Sequence, residues 1–172
     1  TIIIGAMLFY CVSTFFVYFS STLYHGAKNI QQKIVLQKLD HSMVSLIIAG
    51  TAVPALLIAS NGLIAQIMLG FVVLATLINI VLNVISVHKY KKISQILYLS
   101  GLIFIAIGMG VDAVSLAKGF WALFLSGLIV IVIGGAFYMQ KSKKYTHFVW
   151  HIADITCSIL HFLAFYLFIV IK

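Results

Sequence analysis

The residues best suited to chemistry in this chain are histidines and a carboxylate at the ends of apolar segments. His147 and His151 open the last apolar segment, His25 closes the first, and Asp40 and His41 open the second. His147 and His151 are four residues apart, so on a helix they project from one face about 6 Å apart. Two imidazoles at this spacing suit one metal ion, and His25 could supply a third ligand from another helix. Three protein ligands with an open fourth position are the pattern of catalytic zinc.

Asp40 and Ser21 have the chemistry to assist such an ion. Zinc lowers the pKa of a bound water molecule towards about 7 and polarises a carbonyl group. Asp40 could hold or deprotonate that water, or orient a histidine. Ser21 lies one helical turn before His25 and could hydrogen-bond the same water or a developing oxyanion. The alternative is that the histidines lie at the level of lipid headgroups and satisfy helix ends.

Composition assigns the chain to the integral membrane proteins. It is 63% hydrophobic and 8% charged, whereas a soluble domain is about half apolar and about a quarter charged. A bilayer core needs about 20 helical residues. Six apolar runs reach that length, and none shows the alternation of a barrel strand. They are residues 2–25, 41–60, 63–87, 93–113, 119–139 and 147–171. We therefore predict an all-α, polytopic transmembrane helix bundle that forms a single domain over residues 1–172.

The lysines give this bundle an orientation. The net charge is +8, and all eleven basic residues are lysines. Nine of them lie in the first, third and fifth connections: Lys28, Lys33, Lys38, Lys89, Lys91, Lys92, Lys141, Lys143 and Lys144. Only Lys118 and Lys172 lie on the other side. The positive-inside rule makes the nine-lysine side cytoplasmic, so the candidate site lies at the cytoplasmic face. Lysines in short loops reflect topology, and we expect no nucleic-acid partner.

Four further residues have separate interpretations. His41 points about 100° away from Asp40 on a helix, and it is better suited to a helix interface, or to supporting a metal ligand, than to binding metal itself. His161 lies ten residues past His151, so we expect it to bond another helix or to line a cavity. Asp154 shares the face of His147 and His151, and it could be a partner of a ligand, a neutral acid or a contact of His161. Pro54, the only proline, should kink the second helix and free a carbonyl.

Several short motifs, read together, resemble one family. They are S-S-T-L-Y-H at 20–25, K-L-D-H-S at 38–42, I-A-G-T-A-V-P at 48–54, H-F-V-W-H at 147–151 and H-F at 161–162. In this order they resemble the hemolysin III branch of the progestin and adipoQ receptor family, over essentially the whole chain. The resemblance implies a seven-pass bundle with zinc near its cytoplasmic side. The family's three zinc histidines match His25, His147 and His151, its water-contacting aspartate matches Asp40, and its motif serine matches Ser21.

The same resemblance suggests what the site could do. The wider superfamily includes alkaline ceramidases, which implies a zinc-dependent hydrolase of lipid amides acting on membrane lipids, and a role in membrane-lipid homeostasis in a bacterial plasma membrane. Adiponectin receptors imply an alternative, a receptor or membrane-state sensor with structural zinc. The hemolysin name implies a third function, a cytolysin, although no segment here resembles a soluble-to-membrane switch.

Two features depart from the family pattern. The first family helix is absent, so we expect the six helices to be the second to seventh of the fold, with a helix missing before Thr1. Asp154 stands where an apolar residue is expected, which bears on the polarity of the cavity. The sequence leaves the substrate and the oligomeric state open.

Overall fold

The computed structural model describes residues 1–60, 62–112, 116–140 and 145–171, and all regular structure within these ranges is helical. We number six helices in chain order. They are α1 (Ile2–Gly26), α2 (Ile30–Val53), α3 (Leu63–Ser86), α4 (Lys91–Asp112), α5 (Lys118–Met139) and α6 (Thr146–Phe165). Two π-helical segments, Pro54–Ala59 and Tyr166–Val170, continue α2 and α6. In the described ranges, six helices are long and apolar enough to cross a membrane, which confirms the predicted fold class.

The second helix begins earlier than its apolar run. We predicted a segment over 41–60, opened by Asp40 and His41, but α2 starts at Ile30. The side-chain oxygen of Asn29 accepts hydrogen bonds from the backbone N–H groups of Gln31, at 2.8 Å, and Gln32, at 3.4 Å. This cap satisfies two free donors of the first turn, so the polar stretch after it is helical. Asp40 therefore lies inside the helix, and two lysines assigned to the first connection, Lys33 and Lys38, lie in α2.

Pro54 changes the type of helix. Proline has no backbone N–H and cannot make the hydrogen bond to the residue four positions earlier. Here the α-helix ends at Val53 and a π-helix runs from Pro54 to Ala59. Its end is marked by a hydrogen bond from Ser60 N to Ala55 O at 3.0 Å. The expected disruption of the second helix is therefore a change from backbone hydrogen bonds between residues four apart to hydrogen bonds between residues five apart. When the π-helical segment Tyr166–Val170 is counted with α6, the other helix bounds agree with the predicted runs to within two residues.

The packing divides the chain into two compact units, Thr1–Val114 and Ser115–Lys172. In the first unit α2 is the central helix, because it packs against α1, α3 and α4. Half of the most apolar stretch of α2 is buried, against 22–33% in the other five helices. Gly50 permits the close contact with α1, since a Cβ atom there would collide with the Ser13 side chain. Gly101 of α4 similarly lies against Ile48 of α2.

The second unit is an antiparallel pair of helices, α5 and α6. Gly134 of α5 lies against Ala153 of α6, and an added Cβ atom would collide with the Ala153 side chain. Phe120, Phe124 and Phe165 are almost completely buried between the two helices. Their rings lie 5.6–6.1 Å apart, a spacing typical of packed aromatic residues. The pair therefore has a small aromatic core of its own, where α5 begins and α6 ends.

Candidate metal centre

The first unit brings Ser21, His25 and Asp40 together at the end of α1. The Ser21 hydroxyl hydrogen-bonds the Asp40 carboxylate, and His25 interacts electrostatically with the same carboxylate. Ser21 is buried, at 8% exposure, whereas Asp40 is half-buried and His25 is exposed. A carboxylate in this position is partly shielded from water, holds one oriented hydroxyl and faces an imidazole. These neighbours hold the carboxylate in one position, as a group that is to exchange protons requires.

Ser20 and Ser21 have different roles although they are adjacent. The Ser20 hydroxyl donates to the backbone oxygen of Val17 in its own helix, at 3.0 Å, as serines in helices commonly do. The Ser21 hydroxyl instead crosses from α1 to α2 and reaches Asp40. Only Ser21 therefore couples the two helices through a charged group.

The second unit places His147 and His151 side by side at the start of α6. Their Nε2 atoms are 3.0 Å apart, and their rings meet edge to face with centroids 4.6 Å apart. His147 is exposed and His151 is half-buried. The i, i+4 spacing on α6 accounts for their shared face, as the sequence predicts.

The distance between the two Nε2 atoms fits a shared cation. Tetrahedral zinc with Zn–N bonds of about 2.0–2.1 Å holds two ligand nitrogens about 3.3 Å apart. Two neutral imidazoles can reach a similar distance when one tautomer donates a hydrogen bond to the other. The donor set, two adjacent imidazoles that are not fully buried, is one that zinc prefers. Two of the three predicted ligands therefore lie at a distance that a bound metal ion could bridge.

Tyr138 packs against this histidine pair, and no motif in the sequence pointed to it. Its ring lies 5.5 Å from the His147 ring and 5.7 Å from the Trp150 ring, measured between centroids. Gly134, one turn earlier on α5, brings the helices close enough for these contacts. The sequence feature that could have predicted this contact is the short connection between α5 and α6. A short connection makes the last turn of one helix a neighbour of the first turn of the next.

Comparison with known proteins assigns the family. A sequence model of the haemolysin-III-related family matches residues 4–162. The chain belongs to this family. Hemolysin-3 of Bacillus cereus is 30% identical over 149 residues, which are 86% of this chain and 67% of the relative. The Hemolysin-3 homolog of Bacillus subtilis (strain 168) is 34% identical over 142 residues, which are 81% of this chain and 66% of the relative. No solved structure matches the chain.

The matched region of this haemolysin-III-related protein contains every candidate site residue, from Ser21 to His151. The aligned part spans about two thirds of the length of each relative. The family is a branch of the wider progestin and adipoQ receptor family, so the predicted resemblance is confirmed. Together with the six apolar helices, family membership makes the chain a hemolysin-III-like, integral, multi-pass membrane protein.

The remaining polar residues of interest lie outside this group. His161 is buried, its Nε2 atom pairs with Phe124 O of α5 at 3.1 Å, and its ring stacks on the Phe124 ring at 4.4 Å. The prediction that His161 bonds another helix is confirmed. The backbone oxygen of His41 accepts hydrogen bonds from α3 and α4, which puts this turn of α2 at a helix interface. Asp154 is half-buried and interacts electrostatically with Cys157.

Proposed function

We propose that His25, His147 and His151 together bind one zinc ion near the cytoplasmic face of the membrane. The observation that carries the proposal is the 3.0 Å approach of the His147 and His151 Nε2 atoms on α6. Neutral imidazole is a good ligand for zinc, and three such ligands leave one position open. The predicted alternation of the helices and the positions of the lysines support a common membrane face for the last turn of α1 and the first turn of α6. His25 is then the third ligand of this site.

We further propose that the site hydrolyses an amide bond of a membrane lipid. When bound, zinc would supply Lewis-acid polarisation of a carbonyl group and a more acidic water molecule. Asp40 would accept a proton at its carboxylate and return it to the departing nitrogen. Ser21 would hold Asp40 in position through their hydrogen bond. The substrate class rests on the resemblance to alkaline ceramidases, and the role would be membrane-lipid homeostasis in a bacterial plasma membrane.

Cytolysis is the second candidate, because the curated relatives carry the names Hemolysin-3 and Hemolysin-3 homolog. The two proposals differ in what disrupts a membrane. A cytolysin releases a dye from vesicles whose lipids stay intact. A hydrolase changes the lipids first, and only vesicles that contain its substrate leak.

Turnover of a lipid amide by the purified protein tests the hydrolase directly. Wild type and Asp40→Asn are compared on long-chain ceramide and other N-acyl lipids in detergent, with release of fatty acid measured. Loss of the general base should lower the rate about 100-fold or more, while zinc content stays unchanged. His88→Ala is the control, since His88 is exposed in the connection between α3 and α4. If the zinc-loaded protein turns over no acyl lipid, the hydrolase proposal is contradicted. The better explanation is then a receptor or membrane-state sensor in which the zinc is structural.

A further inference from the structure

A second polar site lies inside the first unit, between α2, α3 and α4. Asn79 and Asn83 of α3 are almost completely buried, at 1% and 0% exposure. Amide side chains inside a membrane-spanning bundle are costly unless their hydrogen bonds are satisfied. The proposed zinc site uses neither of them, so their presence needs its own explanation.

The two asparagines belong to a connected network. Asn79 Nδ2 donates to Ser94 O, and Asn83 Nδ2 lies within reach of Asn79 Oδ1, each at 3.3 Å. Asn83 Nδ2 also reaches Tyr98 Oη and His41 O, both at 3.3 Å. Tyr98 Oη donates to His41 O at 2.7 Å, and Ser94 Oγ donates to Asn83 Oδ1 at 3.3 Å. The network therefore ends on the backbone of the residue that follows Asp40.

One buried hydroxyl next to this network, that of Ser45, is not part of it. Ser45 of α2 is buried, at 2% exposure; its side chain interacts with the Tyr98 hydroxyl, but its Oγ atom has no hydrogen-bond partner of normal geometry among the described residues. A serine in a helix commonly bonds the carbonyl four residues earlier, which here belongs to His41. That carbonyl already accepts from Tyr98 and Asn83. Ser42, equally buried, donates to Lys38 O at 2.7 Å and shows the ordinary arrangement.

The Ser45 hydroxyl lies on the wall of a small cavity. Three other polar side chains, those of Thr76, Asn79 and Tyr98, line the same cavity. The centre of a water molecule can reach about 10 Å³ of it, which is room for one water molecule and for no larger ligand. The site is therefore partly polar, formed by three helices and of the right size for a single bound water.

We propose that this cavity binds one structural water molecule that completes the network. The water would accept a hydrogen bond from Ser45 Oγ and donate to Asn79 Oδ1 and Thr76 Oγ1. Asn79 Oδ1 has capacity beyond Asn83, and Thr76 Oγ1 donates to Ser45 O at 3.2 Å, which leaves its lone pairs available. Three hydrogen bonds are typical of a buried water. A cation fits less well, because none of the described residues that line the cavity is a carboxylate.

The water matters for the position of Asp40. Tyr98 and Asn83 hold the His41 carbonyl, and the water fixes the Asn79 side chain that in turn orients Asn83. The turn of α2 that carries Asp40 is thus held from inside the bundle as well as by Ser21. This role belongs to the first unit alone and does not require zinc.

The change in Tm that Ser45→Ala causes in detergent tests the proposal, because a bound water and an empty cavity predict changes of opposite sign. If water is bound, the substitution breaks a satisfied buried hydrogen bond, and Tm should fall by about 2–4 °C. In a dry cavity the same substitution removes an unpaired hydroxyl, and Tm should rise. Ser42→Ala is the matched reference: it breaks the hydrogen bond of an equally buried hydroxyl to Lys38 O, so its Tm should also fall by about 2–4 °C.

The second measurement is a structure of the wild-type protein in a lipid phase, at a resolution that shows ordered water. A density peak within hydrogen-bond distance of Ser45 Oγ, Thr76 Oγ1 and Asn79 Oδ1 is the expected result. An unchanged or higher Tm for Ser45→Ala would overturn the proposal. A clear absence of density, or a peak at the shorter distances of a metal ion, would overturn it as well.

Discussion

At the scale of single residues, the histidines of α6 lie in different environments. His147 and His151 direct their Nε2 atoms at each other near the start of α6. The ring of His161, on the same helix, is engaged by the backbone oxygen and the ring of Phe124. The spacing of four predicted the first pair, because helix geometry alone brings such residues together. The partner of His161 lies on another helix, so the sequence indicated only the kind of contact.

The hydroxyl of Ser21 should matter more than that of its neighbour. Ser21→Ala removes the hydrogen bond to Asp40, and a hydrogen bond to a charged group is worth about 1.5–3 kcal/mol. We expect turnover to fall about tenfold or more, with zinc content retained. Ser20→Ala is the control, because that hydroxyl bonds only its own helix. Equal rates for the two variants, measured on the same lipid amide, would exclude a role for Ser21 in positioning Asp40.

At the scale of helices, glycines determine how closely neighbours approach. In Gly50→Ala the new methyl group would collide with Ser13 of α1, and overpacking of this kind costs about 1–3 kcal/mol. We expect a lower midpoint of thermal unfolding in detergent. Gly70→Ala of α3 meets no atom within 4 Å and should be neutral or stabilising, because alanine favours a helix by about 1 kcal/mol. A Gly50→Ala variant as stable as Gly70→Ala would contradict the described packing of α1 on α2.

The helices also show which parts of the fold could be predicted from the sequence. Apolar length predicted all six, since a helix that crosses a bilayer must be long and continuously apolar. The start of α2 was missed by eleven residues because hydropathy reports burial in lipid, whereas the cap at Asn29 determines where the helix begins. The network around Asn83 was missed for a related reason. Its members are spread over three helices, and no spacing along the chain indicates which of them meet.

At the scale of the whole molecule, the lysines predict which membrane face carries the site. Single cysteines at Lys89 and Lys118, in a background without Cys11 and Cys157, should differ in labelling by an impermeant thiol reagent. We expect Lys118→Cys to react in intact cells and Lys89→Cys to react only after the membrane is opened. The opposite pattern would place the histidines at the external face and remove the cytoplasmic site.

The account rests most directly on zinc binding by the three histidines. The deciding measurement is the metal content of protein purified in detergent without chelator, for wild type, His25→Ala, His151→Ala and the control His88→Ala. We predict about one zinc per chain in wild type and in His88→Ala, and almost none in the other two variants, because three ligands are needed to hold the ion. Metal-free wild type, or zinc retained in both His25→Ala and His151→Ala, would contradict the proposed site.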